Sequence, residues 1–357
     1  MALELIVRNG TVVTSAGRQA ADVAVADGRI ASIGAPGLAG DAAQVVDADG
    51  LLVLPGVIDA HVHLRQPGLE HEEDWQSGTR AAVMGGVTTV LEMPNTVPPT
   101  ATVDAAQAKL ALAEAAAHCD FGLFGLLADR PDQAAELAGS GLVIGLKAFL
   151  GPTTGELASP TDYELRRGLE ATARSGLRVA FHAEDAALVA AASARLRASE
   201  IDDPAAHLRG RPAVAEVASI ERVGRLLADI GARGHIAHLT SAEGLAAVER
   251  WRAAGVDLTA EVTPHHLLLG EDVYARFGGM AKVNPPIRGA PHAAALLAAL
   301  ADGRIDVLAS DHAPHRESDK RLASIWAVPA GFAGVETLLP LLLSEVAAGR
   351  LTLERLV

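Results

Sequence analysis

The sequence predicts an α/β protein, a (β/α)8 TIM barrel preceded by a small β-lobe. Two observations carry this expectation. First, eight short apolar segments, at 53–59, 87–92, 121–127, 143–149, 178–182, 235–239, 257–262 and 305–310, alternate with Ala/Leu-rich helical stretches at 103–117, 133–139, 161–175, 213–230, 242–254 and 291–302. Strands and helices that take turns build a parallel sheet, and eight such units suit a closed barrel. A doubly wound open sheet is the alternative arrangement. Second, residues 1–55 hold only short segments of alternating polarity, such as Leu5-Ile6-Val7, Thr11-Val12-Val13 and Asp22-Val23-Ala24-Val25, punctuated by Gly10, Gly17, Gly28 and Gly34. That is the pattern of hairpins. The expected division is therefore a lobe over 1–55 and a barrel over 56–357.

In such barrels the chemistry sits at the C-terminal ends of the strands. The first barrel strand is expected in the apolar run from Leu51 to Ile58, delivering Asp59-Ala60-His61-Val62-His63 at its end. Residues i and i+2 of a strand share a face, so His61 and His63 can grip one metal ion. The second strand ends in Glu92-Met93-Pro94-Asn95, the fourth carries Lys147, the fifth ends in His182, the sixth in His238 and the eighth in Asp311-His312. Four histidines, a lysine and an aspartate at strand ends suggest a two-metal site, and imidazole with carboxylate suits Zn²⁺.

Bulk properties narrow the function. The chain has 357 residues and a formal net charge of −14, which argues against nucleic acid, because phosphate neutralisation needs clustered Lys and Arg. Cys119 is the single cysteine, so no intrachain disulfide forms, in keeping with a reducing compartment. The N-terminus lacks a basic segment followed by an apolar one, and no uninterrupted apolar run reaches membrane-spanning length. No signal peptide, no membrane and a cytoplasmic location are expected. His265 and His266 read as packing groups, His235 as lying at the opposite end of its strand, and His71, His118, His207 and His292 as surface residues. Glu92 reads as structural.

Several words of the sequence resemble the cyclic-amidohydrolase branch of the amidohydrolase superfamily, dihydroorotases most of all. They are Pro55-Gly56-Val57-Ile58-Asp59-Ala60-His61-Val62-His63-Leu64-Arg65, Gly85-Gly86-Val87-Thr88-Thr89, Met93-Pro94-Asn95-Thr96, Gly145-Leu146-Lys147-Ala148-Phe149-Leu150, His235-Ile236-Ala237-His238-Leu239-Thr240-Ser241, Glu261-Val262-Thr263-Pro264-His265-His266, Lys282-Val283-Asn284-Pro285-Pro286-Ile287-Arg288 and Ser310-Asp311-His312-Ala313-Pro314-His315. They run in order over nearly the whole chain.

The resemblance implies two Zn²⁺ per chain. His61, His63 and Asp311 would hold one, His182 and His238 the second, and Lys147, carboxylated to a carbamate, would bridge them. Asp311 would also be the catalytic acid/base. Arg65, Asn95 and His315 would hold a substrate carboxylate, Asn284 would add a contact, and backbone groups at Ala330-Gly331 would meet the ring. A ring carboxylate favours dihydroorotate, and so carbamoyl aspartate cyclisation in pyrimidine biosynthesis; allantoinase or another cyclic amidohydrolase is the alternative.

An inactive dihydroorotase-like scaffold for aspartate transcarbamoylase is the reading from another class. Such scaffolds usually lose metal ligands, and all six are present here. A homo-oligomer is the expected assembly, with aspartate transcarbamoylase as a candidate partner. Family members continue after the barrel with strands that complete the small lobe. This chain ends at Leu356-Val357, so the expectation is either a fragment of a longer protein or an incomplete lobe with open strand edges.

Overall fold

The computed structural model describes residues 2–37, 41–153 and 157–357, so residues 1 and 38–40 of the expected lobe lie outside the described residues. The chain divides into two compact units, Met1–Val57 with Leu341–Val357, and Ile58–Pro340.

The first unit is built on a five-stranded sheet: β1 (Leu3–Thr14), β2 (Gly17–Ala26), β3 (Arg29–Gly34), β4 (Ala42–Asp47) and β5 (Leu52–Val53), ordered β3-β2-β1-β4, with β5 also beside β1. β1, β2 and β3 form antiparallel hairpins, and the tight turn between β2 and β3 places Asp27 and Gly28 at φ 51° and 67°. Two successive left-handed residues match the right-handed twist of the flanking strands, and an Asp-Gly pair adopts them readily. The sheet buries Ile6, Val12, Val13 and Val23, whereas β3 and β4 leave Ile30, Ile33, Val45 and Val46 exposed.

The second unit is the expected barrel. Eight strands, β6 (Val57–Val62), β7 (Val87–Glu92), β8 (Asp120–Leu126), β9 (Gly145–Phe149), β10 (Arg178–His182), β11 (Arg233–Ile236), β12 (Leu258–Val262) and β13 (Val307–Leu308), neighbour one another in chain order. The ring is drawn together at one end, where Val62 bridges His312 in parallel and the His63 N–H donates to the His312 carbonyl at 2.7 Å. Asp59 reinforces this seam: its Oδ1 accepts from the Ser310 N–H at 2.9 Å. Burial pushes the Asp59 carboxyl up to about 6 even against those hydrogen bonds.

Helices pack between the strands, and those at Val103–Ala116, Pro131–Gly139, Asp162–Ser175, Ala213–Ile230, Ala242–Ala253 and Ala290–Ala301 fall where the sequence predicts them. Among the described residues, no helix is long and apolar enough to cross a membrane.

Several elements differ from the expectation, among them the sixth barrel strand, which runs Arg233–Ile236 rather than 235–239. The apolar run at 51–54 does not open the barrel: Leu52–Val53 pairs with β1 in the first sheet, and the barrel strand starts at Val57. A short apolar run carries no sign of which sheet it joins. The last strand is only two residues long, Val307–Leu308, rather than 305–310. Helices at Trp75–Met84 and Ala186–Ala198 lie outside the expected stretches. The first follows the buried Trp75 with a polar run, Gln76-Ser77-Gly78-Thr79-Arg80, and is fixed by a capping box between Asp74 and Ser77. The second is so alanine-rich that it shows little periodic contrast.

Candidate metal centre and substrate cleft

At the upper rim the six polar residues expected there converge. His61 lies in β6 and His63 just past it; their Nε2 atoms stand 3.4 and 3.3 Å from Asp311 Oδ1. This trio is the cluster of metal-type donors found among the described residues, and all three are buried. Each ring is fixed from behind. Glu261 Oε1 takes a short hydrogen bond from His61 Nδ1, and Asn95 Oδ1 sits 2.6 Å from His63 Nδ1. An acceptor on Nδ1 places the proton there and leaves the Nε2 lone pair for a metal. Burial lowers the pKa of His63 well below the usual imidazole range, with the charges of Arg65 and Lys147 adding to it. The ring is therefore neutral, as ligation requires.

His182, the last residue of β10, and His238, two residues past β11, form the other half. His182 Nδ1 and His238 Nε2 are 3.1 Å apart, and Glu184 Oε2 holds His182 Nε2 at 2.9 Å. Burial opposes the charge of Glu184, but Arg211 and His182 outweigh it and hold the carboxyl at about 2. His238 Nδ1 and Lys147 Nζ have no hydrogen-bond partner among the described residues.

Lys147 sits in the middle of β9 with none of its surface exposed. Burial draws its amine down to about 8, against the pull of Glu261 and Asp311. A buried amine without a partner is costly. Its placement fits a lysine that becomes a carbamate between two cations, because the modification would give it two oxygen donors. The donor set as a whole, four imidazoles, a carboxylate and this amine, fits a pair of divalent metals.

Glu261 ties the halves together. Besides His61, its Oε1 accepts from the His238 N–H at 3.0 Å, and its Oε2 meets His235 Nε2 at 2.9 Å. Burial works against its charge, yet His61 and His235 hold it well below the usual carboxylate range. The backbone also bends at the rim: Arg65, His238 and Asp311 have φ of 67°, 36° and 48°. Non-glycine residues held there cost of order 1–3 kcal/mol each.

The cleft beside the histidines is lined by Arg65, Asn95, Asn284, Ala330 and Gly331, five of the six substrate contacts expected from the sequence. Asn284 Oδ1 is buried without a hydrogen-bond partner among the described residues. The sixth, His315, stands behind Arg65: its Nε2 is 3.3 Å from a terminal nitrogen of Arg65 and 3.1 Å from the Ala330 carbonyl oxygen. Arg65 Nε donates to the Pro314 carbonyl at 3.2 Å. Asn95 reaches His63 as well as the cleft.

Three carboxylates of this site were not singled out for a role from the sequence: Glu72, Glu184 and Glu261. Glu261 stands alone in an apolar strand and Glu184 follows His182 by two, so both left a signal. Glu72 sits in the acidic run Glu70-His71-Glu72-Glu73-Asp74 and looks like solvated surface. Two histidine readings change. His207 is buried rather than on the surface, its Nε2 2.8 Å from the Val283 carbonyl oxygen. His235 is built into the hydrogen-bonded core through Glu261 and Thr259. His265 and His266 are packing groups, as expected; His266 spans Thr263 and the Pro285 carbonyl.

Comparison with known proteins agrees with this geometry. The amidohydrolase family matches residues 52–339. An allantoinase of Rubrobacter xylanophilus is 42% identical over 356 residues, covering 98% of this chain and 77% of that protein. A dihydroorotase of Halobacterium salinarum is 43% identical over 343 residues, covering 94% of this chain and 78% of the relative. Among solved structures, the L-hydantoinase (dihydropyrimidinase) of Arthrobacter aurescens superposes with a TM-score of 0.95 at 32% identity, over 99% of this chain and 80% of that one.

Proposed function

The chain belongs to the amidohydrolase family, and from that premise we propose that it is a dihydroorotase, interconverting L-dihydroorotate and N-carbamoyl-L-aspartate. The observation that carries the reading is Arg65, a buried guanidinium lining the same cleft as the metal donors. A guanidinium there recognises a ring carboxylate in a fork geometry. Asn284, whose Oδ1 has no hydrogen-bond partner among the described residues, supplies a second polar contact to the ring.

His61, His63 and Asp311 would hold one zinc ion, His182 and His238 the other, and carboxylated Lys147 would stand between them. Bound metals supply hydroxide near neutral pH and polarise the amide carbonyl. The chain's own residues do the rest. The buried Asp311 carboxylate takes the proton of the attacking water. The oxygen adds to the ring amide carbon, the carbon–nitrogen bond breaks, and Asp311 returns the proton to the leaving nitrogen. Burial supports that exchange: it raises the pKa of Asp311 from its ordinary value, against the opposing charges of His61 and Lys147. Ring closure is the reverse.

A specific observation favours a second reading, a ring without a carboxylate such as allantoin or hydantoin: Arg65 already faces a carboxylate of the protein, Glu72, at 3.3 Å. A side-by-side assay with dihydroorotate, allantoin and hydantoin separates the two. Dihydroorotate is expected to give the highest kcat/KM; turnover confined to the uncharged rings would replace the first reading with the second.

A further inference from the structure

Glu72 lies on the loop between β6 and the Trp75–Met84 helix. One of its oxygens is 3.3 Å from Arg65 Nε and the other 2.8 Å from His315 Nδ1. Its side chain is 11% exposed, against 1% for both partners. The neighbouring acids are engaged elsewhere: Glu92 pairs with Lys109, Glu73 holds His312, and Asp311 faces the ligand histidines. Glu72 is thus the carboxylate in contact with the pair that stands at the ring-binding end of the cleft.

We infer that Glu72 is a specificity-determining residue: by occupying Arg65 and His315 together, it sets how strongly the cleft selects a ring that carries a carboxylate. The inference rests on the reading of Arg65 as the group that meets the ring.

The physical argument has two parts. A buried guanidinium left without an acceptor is costly, and that cost would penalise every ring lacking a carboxylate. Glu72 removes the penalty, because Arg65 has its counter-charge before any ligand arrives. The same anion repels an incoming carboxylate across a poorly screened cleft. Glu72 therefore weakens the preference for an anionic ring and tolerates an uncharged one. Its hydrogen bond to His315 Nδ1 also holds the imidazole proton on that nitrogen, leaving Nε2 beside Arg65 and the Ala330 carbonyl.

The test is Glu72→Gln, which keeps an acceptor for His315 and removes the charge. The readout is the ratio of kcat/KM for dihydroorotate to kcat/KM for hydantoin or allantoin, whichever uncharged ring the wild type turns over. The ratio is expected to rise about tenfold, mainly through KM for dihydroorotate. An unchanged ratio, or an equal fall for both rings, overturns the inference. In an Arg65→Met background the same change should raise the ratio by a smaller factor, because only the direct repulsion remains; an undiminished rise there also overturns it. If the amide variant fails to fold, Glu72→Asp, which draws the charge back from Arg65, should raise the ratio by a smaller factor, and no change counts against the inference. If no form turns over dihydroorotate, the dihydroorotase reading fails by itself. Dihydroorotate then serves as a competitive inhibitor of uncharged-ring hydrolysis, with an inhibition constant expected to drop about tenfold in Glu72→Gln. An unchanged constant overturns the role of Glu72.

Discussion

The two halves of the candidate metal centre are built differently. On the His61/His63 side both rings have their outer nitrogens fixed, by Glu261 and Asn95, and Asp311 stands within 3.4 Å of both. On the His182/His238 side Glu184 fixes one ring, while His238 Nδ1 and Lys147 Nζ have no partner among the described residues. The first half is organised by the protein alone. The second has its polar atoms arranged for something that must be added. A pre-formed site loses little on binding, whereas one with unsatisfied buried groups gains their satisfaction when the ligand arrives.

Breaking each half in turn tests that contrast. Asp311→Asn, which strikes the proposed acid/base, should fold normally and lose turnover by roughly 10²–10⁴-fold. Steady-state kinetics on the metal-loaded protein checks this, and a near-normal rate would remove Asp311 from proton transfer. Lys147→Ala should leave the first half intact and empty the second. Elemental analysis is expected to give about one metal per chain rather than two, with activity lost. Retention of two metals and activity would refute the bridging role.

Smaller effects follow from the supporting carboxylates. Glu261→Gln should weaken metal binding by about 10–100-fold. Because Glu261 also holds the His238 backbone, both equivalents should suffer. Glu184→Gln should affect one equivalent only, and competition with a chromophoric chelator distinguishes these outcomes.

The smallest change expected is in acid stability. The Glu184 carboxyl is held at about 2, below its ordinary 4.5. A depressed carboxyl contributes stability that is fully present above the unfolded value and is lost as pH falls towards 2. Acid unfolding of Glu184→Gln should be shallower than wild type between those limits; an identical profile would show that Glu184 does not carry this stability.

Much of the site was legible because polar residues stand out in apolar strands. Lys147 among Gly145-Leu146-Lys147-Ala148-Phe149 is such a case, and so is Glu261, whose position was visible though its task was not. What alternation could not show was backbone turning. Arg65 reaches the cleft, as strand periodicity anticipated, but it lies past the strand and turns through a left-handed φ of 67°. Glu72 was illegible for a different reason. A charge in an acidic loop normally points to water, and only three-dimensional placement reveals Arg65 and His315 behind it. The run at 51–54 misled because hydrophobicity reports burial and strand propensity, not the identity of the neighbouring strand.

The bent backbone at Arg65, His238 and Asp311 bears on protein engineering. Grafting the stretch from His61 to Arg65 onto another barrel would transplant the letters but not the posture. A recipient strand that ran on regularly would aim the guanidinium by pleat geometry alone. The receiving scaffold would have to impose the unfavourable dihedral at Arg65 and bear its cost, so a successful graft must carry the surrounding rim along with the motif.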